Sequence, residues 1–442
     1  FGQFIKILYL CGRKKCVYTQ IMRIDMNIER PIYLQSLINR MHNGMIKIVT
    51  GMRRCGKSYL LNNLFTNHLL NTGVAPDHVI SIDLEDILNK PLREPMAIID
   101  YIYRHTVDNQ FHYLIIDEVQ LLSEFEDVLN TLLKKQIYDV YVTGSNARFL
   151  SKDVITTFRG RGDEVRIHPL NFAEYFSVQP VSPLIEPILN DYLRLGGLPQ
   201  TVSMQDEIQK REYLSQLFKN TYLLDIKERY DIKNDDDLEE LIDVIASSIG
   251  GLTNPNKIAN TFMSIKKSSI SRDTIKLYLD YMQEAFMIEK AVRYDIKGRK
   301  YIDTPAKYYF EDLGLRNARI NFRQTEPTHL MENLIYNELR IRGYSVDVGQ
   351  LTYYTKNEAG KSARSVLEVD FVCNKADERI YIQSAYAMPT PEKQEQELKS
   401  LKLINDSFQK VVIAGGMQPT YRNNDGILIL NIYDFLLNKV TI

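Results

Sequence analysis

The stretch "IVTGMRRCGKSYLL", residues 48–61, constrains this chain more than any other. Gly51, Gly56, Lys57 and Ser58 fit the spacing G-x-x-x-x-G-K-[ST]. That spacing suits a loop of main-chain N–H groups that wraps a phosphate chain at a helix N-terminus. Lys57 is placed to reach the terminal phosphates and Ser58 to ligate Mg²⁺. Arg54, Cys55 and Tyr59 complete the candidate loop. The flanks agree with this reading. "MIKIVT" (45–50) is a short apolar run ending in the loop, and "SYLLNNLFTNHLL" carries apolar residues at helical spacing. Strand, loop and helix follow in the order the pattern requires.

A phosphate loop needs partners on neighbouring strands, and the sequence offers them. "YLIIDEVQ" (113–120) is an apolar run ending in Asp117 and Glu118. An Asp at such a strand end can hold the Mg²⁺ shell, and the adjacent Glu can act as general base on the attacking water. "HVISIDLED" (78–86) and "YDVYVTGSN" (138–146) read as two further strands, with "EFEDVLNTLLKKQ" helical between 113–120 and 138–146. Alternating strands and helices predict an α/β layer around a parallel sheet. Asn146, at the end of the last strand, is a candidate contact to the γ-phosphate or water. "FRGRGDEV" supplies Arg159 and Arg161, of which Arg161 is the preferred arginine finger. A finger acting in trans would make the working form a homo-oligomer.

The motifs "GMRRCGKS", "YLIIDEVQ", "TGSN" and "FRGRGDEVRIHPLNFAEYF", in this order, resemble the prokaryotic AAA-type ATP-binding proteins that carry a C-terminal domain of unknown function. The match to that family includes Gly160-Arg161 and the run Pro169, Leu170, Phe172 and Glu174, and "LRLGGLP" resembles a segment of its helical lid. The resemblance spans nearly all of 26–442. It implies ATP binding with ATP hydrolysis, and it names no macromolecular substrate.

The second half predicts a different organisation. Residues 169–232 read as a helical lid, and "DIKNDDDLEE" (231–240) as an acidic break. Residues 233–328 read as a winged-helix domain. There "IKKSSISRDTIKLYLDYMQEAFMIEKAVRYDIKGRKYI" (265–302) gives helix-turn-helix, then a hairpin around Lys297-Gly298. Ser271 or Ser269 caps the second helix, with Ile275, Leu279 and Met282 on its inner face. Lys297, Arg299 and Lys300 crowd the wing and are candidate contacts to DNA phosphates. The alternative use of this module is packing against a protein partner. Residues 329–442 resemble the restriction-endonuclease-like fold, with Glu332, Asp370 and Gln383 at its site positions. Ala385 stands where that fold has a lysine, so the scaffold reads as a degenerate nuclease.

Bulk properties set the remaining limits. In 442 residues, 55 Lys and Arg against 56 Asp and Glu leave a net charge of −1, so nucleic-acid binding rests on local patches. No apolar run is long enough for a membrane span. The four cysteines are Cys11, Cys16, Cys55 and Cys373, too few for a disulfide scaffold and consistent with a reducing cytoplasm. Residues 1–25 read as an extension ahead of an ATPase domain over 26–168. Three functions compete: an ATPase, a nucleotide-gated DNA- or protein-binding module with little hydrolysis, and an ATP-coupled nuclease. Ala385 counts against the last.

Overall fold

The computed structural model describes residues 28–144, 158, 160–180, 184–232, 235–266, 270–323, 326–356, 362–440 and 442. The expected extension over 1–25, together with Cys11, Cys16, Asn146 and Arg159, lies outside the described residues.

The first layer is a five-stranded sheet of β1 (Ile46–Thr50), β2 (Val79–Asp83), β3 (His112–Asp117), β4 (Tyr138–Thr143) and β5 (Gly162–Arg166). Its order is β2-β3-β4-β1-β5, and every pairing is parallel. β1, β3 and β4 are buried along their whole length, which is why each reads as a near-continuous apolar run. Edge strand β2 alternates instead. Successive side chains feed two cores. Ile48, Leu114, Ile116, Val140 and Val142 enter one, and Val49, Ile115, Tyr141 and Val165 the other. Lys47 interrupts the apolar run of β1. Its buried ammonium pairs with Asp139 on β4, and Tyr141 donates to the same carboxylate at 2.9 Å.

The lid is helical, as expected, with helices Ile185–Leu195, Pro199–Val202 and Glu207–Leu217. The last continues through a π-helical stretch (Phe218–Leu223) into Leu224–Arg229. The acidic stretch read as a break differs from expectation. Asp235, Asp236 and Asp237 open the helix Asp235–Ser247, where acidic side chains complement the N-terminal end of the helix dipole. Lys227 ties that turn back to the lid, 2.8 Å from Asp235 and 2.9 Å from Glu239.

Helices Pro255–Lys266 and Arg272–Glu284 precede the hairpin β7 (Ile288–Asp295) and β8 (Lys300–Phe310), with β6 (Leu252–Thr253) pairing β8. Ser271 caps the second helix, and Ile275, Leu279 and Met282 are buried. The hairpin joins a larger sheet. β7 pairs in parallel with β9 (Ser345–Lys356), so one nine-stranded sheet runs across residue 328. That sheet continues through β10 (Ser362–Lys375), β11 (Glu378–Ala385), β12 (Gln409–Ala414), β13 (Tyr421–Arg422) and β14 (Leu428–Asn431). Pairing with β9 satisfies backbone groups of β7 that a free-standing wing would leave to water.

Candidate nucleotide site

β1 lies between β4 and β5, while the chain leaves it for β2 at the far edge. Such a reversal opens a crevice at the carboxyl ends of the strands, and the Gly-rich loop sits there. Gly51 has φ 139°, and a Cβ on it would fall 2.1 Å from the Ile167 carbonyl oxygen. Gly56, at φ 100°, is the N-cap of the helix that starts at Lys57. It supplies no side-chain acceptor to the first turn, and a helix N-terminus of this kind suits an anion. Lys57 is buried, and its Nζ donates to the carbonyls of Gly51 and Met52, both at 3.1 Å. Among the described residues no carboxylate is ion-paired to it. An ammonium folded across its own loop at a helix N-terminus fits a polyphosphate.

Because β4 separates β1 from β3, the end of β4 must meet the end of β3. Thr143, the last residue of β4, donates to Asp117 Oδ1 and accepts from the Glu118 amide at 3.0 Å. Ser58 reaches the same Asp117 from the phosphate loop. Burial pushes the Asp117 carboxyl above its ordinary value, and the Ser58 and Thr143 hydroxyls pull it back in part. A hydroxyl and a carboxylate converging from two strands are hard oxygen donors of the kind Mg²⁺ takes. Glu118 stands next in a left-handed conformation, φ 52°, with Gln120 Nε2 donating to its carboxylate. Thr143 and Gln120 carry no sequence signal for these contacts; Thr143 lies in the stretch 138–146 read from the sequence as a strand.

The loop is braced from behind. Arg30 donates to the Cys55 carbonyl at 3.0 Å, to the His168 carbonyl at 2.7 Å and to Glu174 at 3.0 Å, all buried. Glu174 is itself fixed by a reciprocal cap with Asn171. Its carboxyl is raised by burial and pulled down by Arg30 and the Asn171 amide. So Glu174, which the sequence marked only through the resemblance, acts on the loop through Arg30. The lid touches the outer side: Tyr222 donates to the Arg53 carbonyl at 2.6 Å, and Arg53 pairs with Asp225 at 2.8 Å.

The same region joins the C-terminal half. His168 and Arg166, leaving β5, both contact Glu311 at the end of β8, and Arg166 also pairs with Glu289 on β7. Burial opposes charge on Glu311, but His168 and Arg166 outweigh it and hold the carboxyl below its ordinary value. The neighbouring Asp312 accepts from the Gly197 amide of the "LGGLP" segment at 2.8 Å. Burial raises that carboxyl to about 6 against the pull of the amides it binds.

The other expected residues lie elsewhere. Arg161 is exposed, and its carbonyl accepts from the amide of Ile46, the first residue of β1. It therefore sits at the end of the sheet opposite the phosphate loop, separated by the length of β1, about 13 Å. It cannot reach a phosphate held by its own chain. Lys297, Arg299 and Lys300 are exposed at the hairpin tip, and among the described residues none of them is ion-paired. A cavity of about 580 Å³ beside the tip is lined by Lys297, Arg299 and Arg379 together with Asp377, Glu378 and Asp406.

The positions expected of a degenerate nuclease are partly brought together. Glu332 and Asp370 converge, but on Lys307, whose Nζ lies 2.8 Å from Glu332 and 2.7 Å from Glu368. Burial opposes the Lys307 charge, and Glu332, Asp370 and Glu368 more than restore it. Gln383 turns to Ser400, whose hydroxyl donates to it at 3.3 Å. Lys307 and Glu368 carry no local sequence signal for this role. Among the described residues, the cluster with metal-ligand spacing is His78, Asp108 and His112, at the end of the sheet away from the loop. There both ring nitrogens of His112 are engaged by backbone, at 2.9 and 3.1 Å.

Comparison with known proteins agrees with this geometry. A family model described as "AAA domain" matches residues 43–176, and two described as domains of unknown function (DUF8612 and DUF4143) match 186–326 and 328–435. An uncharacterized protein of Haemophilus influenzae is 34% identical over 414 residues, covering 93% of this chain and 98% of the relative. Another, from Methanocaldococcus jannaschii, is 27% identical over 448 residues, covering 92% and 94%. Among solved structures, the Aeropyrum pernix Orc1 protein in complex with DNA is similar at 10% identity and TM-score 0.27, over 69% of this chain and 95% of that one. No helix among the described residues is long and apolar enough to cross a membrane. With its phosphate loop, its Asp-Glu pair and a relative that matches it over 93% of its length, the chain belongs to the family of AAA-type ATP-binding proteins with C-terminal domains of unknown function.

Proposed function

We propose that the chain is a Mg²⁺-dependent ATPase whose nucleotide state is passed to its C-terminal half. The observation that carries this is the convergence of Lys57, Ser58, Asp117 and Glu118 at the carboxyl ends of β1 and β3. The loop amides and Lys57 bind the phosphates. Ser58 and Asp117 would hold Mg²⁺, which supplies charge neutralisation on the phosphoryl oxygens when bound. Glu118 orients the attacking water and accepts its proton, once released from Gln120. Arg161 supports a role in trans, reaching the site of a second copy. Asn146 is proposed, from the sequence alone, as a further contact to the γ-phosphate or water. The route outward runs from Cys55 through Arg30 and His168 to Glu311.

Phosphate release from ATP with Mg²⁺, compared between wild type and Glu118→Gln, tests the reading. A loss of at least about 100-fold is expected, and equal rates refute the assigned base. Mixing Arg161→Ala with Glu118→Gln chains should restore part of the activity if the finger acts between copies.

A second reading is favoured by the uncovered cationic hairpin tip. In it the two helices and hairpin act as a winged helix that holds DNA phosphates, gated by nucleotide. Salt-dependent binding to duplex DNA that is lost on combined substitution of Lys297, Arg299 and Lys300 supports it. Absence of binding at low salt, with and without nucleotide, points to a protein partner.

A further inference from the structure

A group of ligating side chains lies at the amino-terminal end of the first sheet, away from the phosphate loop. β2 and β3 pair in parallel with Val79 opposite Tyr113. The residues just ahead of that pair, His78 and His112, are therefore neighbours, their ring centroids 4.6 Å apart. Asp108, in the loop that enters β3, completes the group. One ligand atom from each of His78, Asp108 and His112 lies within 4.8 Å of the other two. Each member is oriented from behind. Asp77 Oδ1 stands 3.1 Å from His78 Nδ1, and the Gln110 carbonyl 2.9 Å from His112 Nδ1. The Gln110 amide donates to Asp108 Oδ1 at 2.7 Å.

A carboxylate or backbone carbonyl that holds one nitrogen of a histidine turns the other toward a metal, which is how ligating histidines are fixed. In both rings that other atom is Nε2. His78 Nε2 stands 3.2 Å from Asp108 Oδ1. Two ligands of one tetrahedral Zn²⁺, at bond lengths of about 2.1 Å, stand about 3.4 Å apart, so this pair already has the separation a metal needs. His112 has to close on it by at most about 1.4 Å from the 4.8 Å bound. It also has a bond to exchange, because its Nε2 accepts from the Val107 amide at 3.1 Å. Residues 107–111 are all exposed, so water can take that amide while the loop shifts toward the ion. The His78 and Asp108 side chains are 13% and 40% exposed, which gives an ion its way in. Two imidazoles with one carboxylate suit Zn²⁺, Co²⁺ or Ni²⁺ better than Mg²⁺.

We propose that His78, Asp108 and His112 form a binding site for a divalent transition metal of the Zn²⁺ class, with Asp77 and the Gln110 carbonyl as positioning groups. Water takes the remaining position on the ion. The metal ties the turn that leads into edge strand β2 to the loop that leads into β3, and so fastens the amino-terminal end of the sheet. The site stands at the opposite end of the strands from the phosphate loop and does not depend on ATP hydrolysis.

Calorimetric titration of the untagged, nucleotide-free full chain with Zn²⁺ tests the proposal. Wild type should bind Zn²⁺ at a site that His78→Gln and Asp108→Asn each weaken by at least about 100-fold, and Asp77→Ala by about tenfold. A roughly thousandfold excess of Mg²⁺ should leave that site filled. Zn²⁺ should raise the melting temperature of wild type and leave that of His78→Gln unmoved. In wild type, paramagnetic Co²⁺ should shift the ring-proton resonances of both His78 and His112, a reading that stands even where a variant fails to fold. Absence of Zn²⁺ binding, or equal affinity in wild type, His78→Gln and Asp108→Asn, overturns the proposal. A Co²⁺ shift at His78 without one at His112 overturns the three-ligand site.

Discussion

Replacing Arg30 by methionine should damage both the fold and the phosphate loop. The guanidinium is buried and makes bonds of 3.0 Å to Glu174, 3.0 Å to the Cys55 carbonyl and 2.7 Å to the His168 carbonyl. Methionine fills much of the volume and makes none of them. Glu174 is left buried beside an apolar chain, and removing one partner of a buried pair costs about 3–5 kcal/mol. The Cys55 carbonyl loses its donor, so the turn holding Arg54 and Gly56 in left-handed conformations loosens. If that costs the loop about 1.4 kcal/mol of preorganisation, nucleotide affinity falls about tenfold. The chain has no Trp, so urea unfolding is followed by far-ultraviolet circular dichroism, and ADP binding by calorimetry. Arg30→Met/Glu174→Gln should be less destabilised than the sum of the two single variants, by about 2–3 kcal/mol. Additive costs, or wild-type affinity for ADP in Arg30→Met, would refute the brace.

Three further outcomes are expected. Thr143→Val removes the hydroxyl shared by Asp117 and the Glu118 amide. It should lower steady-state hydrolysis about 10–100-fold, as loss of a group that orients site residues does, while ADP binding by calorimetry changes little. Asp312 titrates at about 6 when folded, against about 3.9 unfolded. The folded state then holds more protons between those values, so this group's contribution is full below about pH 4 and is lost as pH rises through 6. The loss is up to ~3 kcal/mol, and urea midpoints at several pH values should show a flatter profile for Asp312→Asn. Finally, if the hairpin tip holds DNA, substituting Lys297, Arg299 and Lys300 by alanine should reduce the slope of log K against log salt by about 2.7. An unchanged slope in fluorescence anisotropy would clear the tip of phosphate contact.

Some of this molecule was open to reading in one dimension. The loop from Gly51 to Ser58 is contiguous, and its glycines are needed locally, so the motif carries its own geometry. Asp117 and Glu118 end an apolar run because β3 is buried on both faces and emerges only at its tip. Capping by Ser271 and the inner face of the following helix are likewise local. What stayed hidden depends on pairing through space. Arg30 and Thr143 gain meaning only when the sheet order sets β4 between β1 and β3 and brings 166–174 beneath the loop. Lys307 looks like one more strand lysine until β8, β10 and helix Pro327–Ile341 are assembled. The run Asp235–Asp237 misled because acidic residues suit both a solvated linker and a helix start. The register of β7 on β9 is a long-range choice that no local signal states.

The central claim is that main-chain amides between Gly51 and Tyr59, with Lys57, hold a polyphosphate. Calorimetric titration of the full chain with a slowly hydrolysed ATP analogue and Mg²⁺, for wild type and Lys57→Ala, tests it most directly. The account predicts one nucleotide per chain, bound about 10–100-fold more weakly by Lys57→Ala, the loss expected for a charge-assisted contact. Absence of any binding heat, or equal affinity in the two proteins, would contradict it.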